Sequence, residues 1–184
     1  LPDGARSTKL ATLGRQAADE KGTEKMIKAG DTLPQSTFMV MTPEGPKPRT
    51  TDEVFKGKKV VLFAVPGAFT PTCHKNHLPG FLAKAAEIKA KGVDTIAVTG
   101  VNDVFVMDAW SKDTGGAGKI EFLADGSGSF AKGVGLTVDL NERGLGLRSR
   151  RYAMIVDNGV VRDVFVEEAA GVEVSGAEHI LEKL

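Results

Sequence analysis

Apolar residues along this chain come in short runs separated by turn-forming clusters, and the pattern of each run assigns an element. Val60-Val61-Leu62-Phe63-Ala64-Val65 is apolar throughout, the mark of a strand covered on both faces, and with Lys59 it predicts a strand over 59–65. Phe38-Met39-Val40-Met41 and Arg49-Thr50-Thr51 flank a turn rich in proline and glycine. Further strands are expected over 93–98 and 120–123, and helices over 71–90 and 103–111, so the middle of the chain reads β-α-β-α. Tyr152–Val156 and Val160–Val166 are joined by Asp157-Asn158-Gly159, a hairpin signal because Asn-Gly accepts positive φ. Ser175-Gly176-Ala177-Glu178 has the spacing of a capping box and opens a last helix. Parallel strands followed by an antiparallel hairpin and a closing helix predict an α/β fold, a mixed β-sheet flanked by helices on both faces.

One helix carries its own irregularity. Pro79 has no N–H for the carbonyl of Lys75, so a bend after His77, or a break between two short helices, should divide a first segment from a packing segment over 81–88.

Composition narrows the partners. The 184 residues suffice for one domain with a real core, and 24 basic against 24 acidic residues give no electrostatic reason to expect nucleic acid or an anionic membrane. Aromatic residues are too few for a nucleobase-stacking platform, and no apolar run is long enough for a membrane-spanning helix. Residues 1–25 are small, polar and charged with no strand signal, and read as a flexible extension, a tag or targeting remnant, ahead of a domain over 26–184.

Chemistry concentrates at the single cysteine, Cys73, which cannot form an internal disulfide and fits a reducing compartment. Thr70 is a good helix N-cap and Pro71 suits the first helical position. Cys73 then falls at about the third, where unpaired N–H groups and the helix dipole favour a thiolate. Thr70 can accept the backbone N–H of Cys73 and still donate its hydroxyl hydrogen toward sulfur. Pro66 can be read as an ordinary strand terminator, or, without an N–H and with an apolar ring, as a residue that would also help shield the thiol from bulk water.

Pro66-Gly67-Ala68-Phe69-Thr70-Pro71-Thr72-Cys73, followed by Lys75, by His77-Leu78-Pro79-Gly80-Phe81, by Val101-Asn102-Asp103 and by Trp110, resembles the type-five (atypical) subfamily of the peroxiredoxins from about Met26 to Leu184. The resemblance implies a thioredoxin-like fold and a thiol peroxidase that reduces hydrogen peroxide and organic hydroperoxides with no cofactor and no metal. Pro66, Thr70 and Cys73 match the family's peroxidatic motif. The family's active-site arginine precedes an aromatic residue where a strand begins, which places that role on Arg151 in Arg150-Arg151-Tyr152. In a strand Arg151 shares a face with Ala153 and Ile155, and Arg150 with Tyr152 and Met154, so only one of the two can point at Cys73; Arg150 is the fallback. Arg143 and Arg148 read as surface charges.

The histidines carry less. His77 reads as a structural residue or one supporting the site, His74 as facing away, and His179 as a surface residue. Cys73, His74 and His77 crowd into five residues and match no zinc spacing.

Some members of the subfamily carry a second, resolving cysteine in the region that here reads Gly171-Val172-Glu173-Val174-Ser175, and this chain has none. Cys73 oxidised to sulfenic acid must then be reduced by an external thiol, glutathione with or without glutaredoxin, with thioredoxin as the alternative. The resemblance also implies a homodimer, for which Phe69, Phe105 and Leu145 could supply apolar surface, and a cytoplasmic protein, or an organellar one if residues 1–25 are a targeting remnant. Two other readings use the same residues: a thiol-based redox sensor that relays oxidation to a partner, and a binding module in which Cys73 is a packed bystander.

Overall fold

The computed structural model describes residues 25–184, so the extension drawn at 1–25 lies outside the described residues but for Lys25. Nine strands and five helices follow one another: β1 (Thr37–Thr42), β2 (Gly45–Thr50), α1 (Thr51–Phe55), β3 (Lys59–Ala64), α2 (Leu78–Ala90), β4 (Thr95–Gly100), α3 (Val104–Asp113), β5 (Glu121–Ala124), α4 (Ser129–Gly133), β6 (Thr137–Leu140), β7 (Gly146–Ser149), β8 (Tyr152–Asp157), β9 (Val160–Val166) and α5 (Ala177–Lys183). Seven strands form one sheet in the order β2-β1-β5-β4-β3-β8-β9, with β6 and β7 paired as a separate ribbon. The β4–β3 and β4–β5 pairs are parallel and the remaining pairs of the large sheet antiparallel.

The apolar run Val60–Ala64 of β3 occupies the interior of that sheet because both its faces are covered. Val61, Phe63 and Val65 pack with Leu78, Phe81 and Ile88 of α2, Met107 and Trp110 of α3 and Ile180 of α5. The alternate residues Val60, Leu62 and Ala64 pack with Val54 and Phe55 of α1 and Phe130 of α4. Helices on both faces of a mixed sheet make the thioredoxin-like architecture that the resemblance implied. The hairpin turn takes its expected form, with Asn158 at φ 49° and Gly159 at φ 77°.

Three expectations are corrected. Thr50 and Thr51 do not simply continue a strand: Thr50 caps α1, its hydroxyl accepting the N–H of Glu53 while the Glu53 carboxylate accepts that of Thr50, a capping box over Thr50-Thr51-Asp52-Glu53. The capping box expected at Ser175 is absent. Gly176 is the N-cap of α5 and offers no side chain, because the Ser175 hydroxyl donates to Glu167 instead. The helix that begins near Pro71 is irregular just ahead of Pro79 through a π turn over Cys73–His77, whose wider ring lets the N–H of Leu78 reach the carbonyl of Cys73. A missing donor at Pro79 explains why the extra residue is accommodated at that point.

The register of β8 against β3 positions the site. Ala64 faces Tyr152 across the antiparallel pair, so the residue before Tyr152 lies at the end of β3 where the chain leaves the sheet toward Cys73. Tyr152 itself packs on the opposite face, with Met154 and Val156.

Candidate active site

The loop between β3 and the helix is held from two sides. After the Val65 N–H pairs with Thr99 O, the Ala68 N–H donates to Asn102 Oδ1 at 2.9 Å, and Arg148 donates to Pro66 O at 3.2 Å and to Leu145 O at 2.8 Å. Gly67 sits in the crevice between. A Cβ there would lie 2.9 Å from Thr70 Cγ2 and 3.1 Å from an Arg148 nitrogen, so any larger residue would push the clamp apart. Phe69 adopts φ 62° despite its side chain, a strained conformation costing on the order of 1 kcal/mol that turns the chain into the helix. Helical geometry starts at Pro71, and Cys73, the third helical residue, is fully buried.

Two groups converge on the Cys73 sulfur. Thr70 Oγ1 lies 2.9 Å from Sγ and 2.7 Å from the carbonyl of Gly67, and an Arg151 nitrogen lies 3.1 Å from Sγ. A hydroxyl has one hydrogen. With a thiol, S–H can donate to Oγ1 while Thr70 donates to Gly67; with a thiolate, the Thr70 hydrogen can turn to sulfur. The cap expected from Thr70 is not made through its side chain: its carbonyl accepts the N–H of His74, and its hydroxyl is committed to Gly67 and Cys73. Pro66 lies half-buried where the clamp grips the loop, its carbonyl held by Arg148.

Arg151 is the arginine at the sulfur, and Arg150 points elsewhere, donating to the carbonyl of Glu167 at 3.3 Å. A second Arg151 nitrogen lies 3.0 Å from Nδ1 of His77, whose Nε2 lies 2.9 Å from the carbonyl of Ser175. Burial pushes the His77 pKa down to about 4, with the Arg151 charge adding to the fall and the Ser175 carbonyl and Glu167 opposing it. The ring is therefore neutral at pH 7. A carbonyl can only accept, so the one ring hydrogen belongs on Nε2 and the Nδ1 lone pair faces the guanidinium. Arg151 is thus oriented by a neutral acceptor, which leaves its positive charge to the sulfur.

His74 takes a different direction. Its Nδ1 accepts the indole N–H of Trp110 at 3.1 Å, its Nε2 lies 3.8 Å from an Asp113 oxygen, and its ring stacks against Phe69. Cys73, His74 and His77 consequently do not converge on a common point. Sequence reasoning passed over Arg148 and Asn102 as members of this site. Asn102 stands in a motif already noted, but a loop clamp is made by residues 34 and 82 positions away from their partners, and no local spacing encodes such contacts.

Comparison with known proteins shows the family of the chain. The family model described as Redoxin matches residues 28–181. Peroxiredoxin-2E, chloroplastic, of Arabidopsis thaliana is 47% identical over 162 residues, covering 86% of this chain and 69% of that protein. Peroxiredoxin-2C of Oryza sativa subsp. japonica is 47% identical over 159 residues, covering 86% of this chain and 98% of that protein. The crystal structure of reduced Prx3 from Vibrio vulnificus in complex with hydrogen peroxide superposes with a TM-score of 0.82 at 54% identity, covering 86% of this chain and 99% of that one.

Proposed function

The chain belongs to the Redoxin family and is a peroxiredoxin, a thiol peroxidase, and from that premise we propose that it is a single-cysteine member of the type-five subfamily in which Cys73 attacks peroxide and an external thiol restores it. The observation that carries the reading is the placement of Sγ between Thr70 Oγ1 and the Arg151 guanidinium, at 2.9 and 3.1 Å.

The chemistry follows from those positions. The Cys73 thiolate attacks one peroxide oxygen along the O–O axis; the S–O bond forms as the O–O bond breaks, and the two electrons of that bond leave with the departing oxygen. Hydroxide or alkoxide departs and takes a proton to become water or alcohol. Arg151 and Thr70 are donors fixed beforehand where charge passes from sulfur to oxygen, so little reorganisation accompanies the step. Pro66, half-buried at the end of β3, contributes no competing N–H.

A thiol such as glutathione then attacks the sulfenic acid, releasing water and leaving a mixed disulfide, and a second thiol, free or in glutaredoxin, releases Cys73 as the thiol. The lone cysteine supports this cycle, because the chain offers no second thiol. Thioredoxin is the competing reductant. Full burial of Cys73 excludes a bulky reductant from the folded site, so local opening around the sulfur accompanies this half of the cycle. Such a cycle draws on reducing power, which the cytoplasm or an organelle interior supplies. Phe69 in the loop ahead of Cys73 and Phe105 in α3, exposed at 46% and 66%, are the apolar surface proposed for a homodimer.

The test is stopped-flow oxidation of Cys73 by hydrogen peroxide, read from the single tryptophan, followed by glutathione, glutathione with glutaredoxin, or thioredoxin. Rapid oxidation and recovery with the first two supports the proposal. Oxidation no faster than that of a free thiol overturns it, and recovery with thioredoxin alone overturns the choice of reductant.

A further inference from the structure

Glu167 follows β9 directly and continues its pairing, its N–H donating to Arg151 O at 3.0 Å. One oxygen of its carboxylate, Oε1, accepts three hydrogen bonds: from the Glu173 N–H at 2.7 Å, the Ser175 N–H at 2.8 Å and the Ser175 hydroxyl at 2.8 Å. The exposed loop between is thereby folded back, and Ser175 is fully buried at its end.

We propose that Glu167 is a positioning residue for the peroxide step, acting on Arg151 through Ser175 and His77; the inference rests on the reading that Arg151 serves that step. The coupling is a matter of hydrogen-bond polarity. A neutral imidazole has one N–H and one lone pair, and the Ser175 carbonyl takes the N–H at Nε2. The lone pair at Nδ1 must then meet Arg151. Were the Ser175 carbonyl to move away, the ring hydrogen would be free to shift to Nδ1 and confront a guanidinium that has only donors. Glu167 holds the Ser175 carbonyl in place by binding the N–H and hydroxyl of the same residue. It suits the task as an anion: burial alone would raise its pKa, but the hydrogen bonds from Ser175 and Glu173 outweigh this and hold it below the usual carboxylate range. The same contacts explain why Ser175 does not cap α5.

The experiment compares wild type, E167Q, R151K and the double variant as full chains. Two readouts are taken: the rate constant for oxidation by hydrogen peroxide, and the imidazole ¹⁵N spectrum, in which only three histidines appear. E167Q is expected to slow oxidation about tenfold, since displacing a group one step from the reacting atoms loses part of its orientation, and to move the His77 signals away from the Nε2–H tautomer. Added to R151K it should slow oxidation by much less than tenfold. An unchanged rate with an unchanged His77 spectrum, or a full tenfold loss on top of R151K, overturns the inference. If R151K itself oxidises like wild type, the underlying reading of Arg151 fails; if R151K is slow and E167Q is not, only the role of Glu167 falls. Should E167Q be unfolded, S175A removes one of the three bonds and is expected to shift the His77 spectrum in the same direction with a smaller loss of rate, and wild-type behaviour in both overturns the inference.

Discussion

The guanidinium of Arg151 is held at 3.0 Å by the neutral ring of His77 and, among the described residues, by no carboxylate. An acidic partner would share the positive charge, whereas a neutral acceptor fixes direction and leaves the charge for the sulfur 3.1 Å from the adjacent nitrogen.

Arg151→Lys is therefore expected to slow Cys73 oxidation roughly a hundredfold, the usual loss for one preorganised donor. A lysine keeps a point charge but not the planar fork that touches Cys73 and His77 together. Stopped-flow Trp110 fluorescence measures it, and Arg150→Lys, which alters a contact with Glu167 O, should leave the rate within a fewfold of wild type.

Thr70→Val removes the hydroxyl that bridges Gly67 O and Cys73 Sγ. Oxidation should slow by at least tenfold as one donor at sulfur is lost, and stability should fall by about 1 kcal/mol because the Gly67 carbonyl loses its side-chain partner and keeps only the long bond from the Thr70 N–H. Thr70→Ser should restore most of the rate, and urea denaturation of the three proteins separates the two effects.

His77 gives a pH dependence with a defined sign. Its folded pKa is lowered from 6.5 to about 4, so between those values the unfolded chain binds a proton that the folded chain does not. Its contribution is constant above pH 6.5 and erodes stability as pH falls toward 4, by on the order of 3 kcal/mol across the window. Denaturation midpoints at pH 7, 6 and 5 should show the decline, and His77→Gln, which removes the titrating group, should flatten it relative to wild type.

Phe105→Glu places a charge on one of the exposed apolar residues proposed for the dimer surface. Sedimentation velocity should show wild type as a dimer and the variant shifted to monomer at micromolar concentration, with its rate of peroxide oxidation within a fewfold of wild type. A variant that sediments like wild type would move the dimer interface elsewhere.

Much of the fold was legible where one element imposed a clear local period. The apolar run of β3, the Asn158-Gly159 turn and the thiol at the third helical position each follow from a few adjacent residues. Short elements were missed: α4 and the β6–β7 ribbon span only four or five residues each, too few for a period to register. The Ser175 box failed for another reason, since its hydroxyl found a charged acceptor eight residues away in sequence that outcompetes a backbone cap.

By itself the sequence determined which atoms could react. One thiol, set after Thr70-Pro71 at the start of a helix, limits the chemistry to that sulfur, and alternation along the strand beginning at Tyr152 meant that only one of Arg150 and Arg151 could face it. Tertiary structure decided which one did, because the register of β8 on β3 brings Arg151 to the end of β3, 78 positions from Cys73 in sequence. It also decided the supports: His77 between Arg151 and Ser175, and Arg148 and Asn102 gripping the loop from opposite sides. Hydrogen bonds of this kind join groups whose separation along the chain is arbitrary, and they exist only once packing has removed water and left each donor few acceptors within reach.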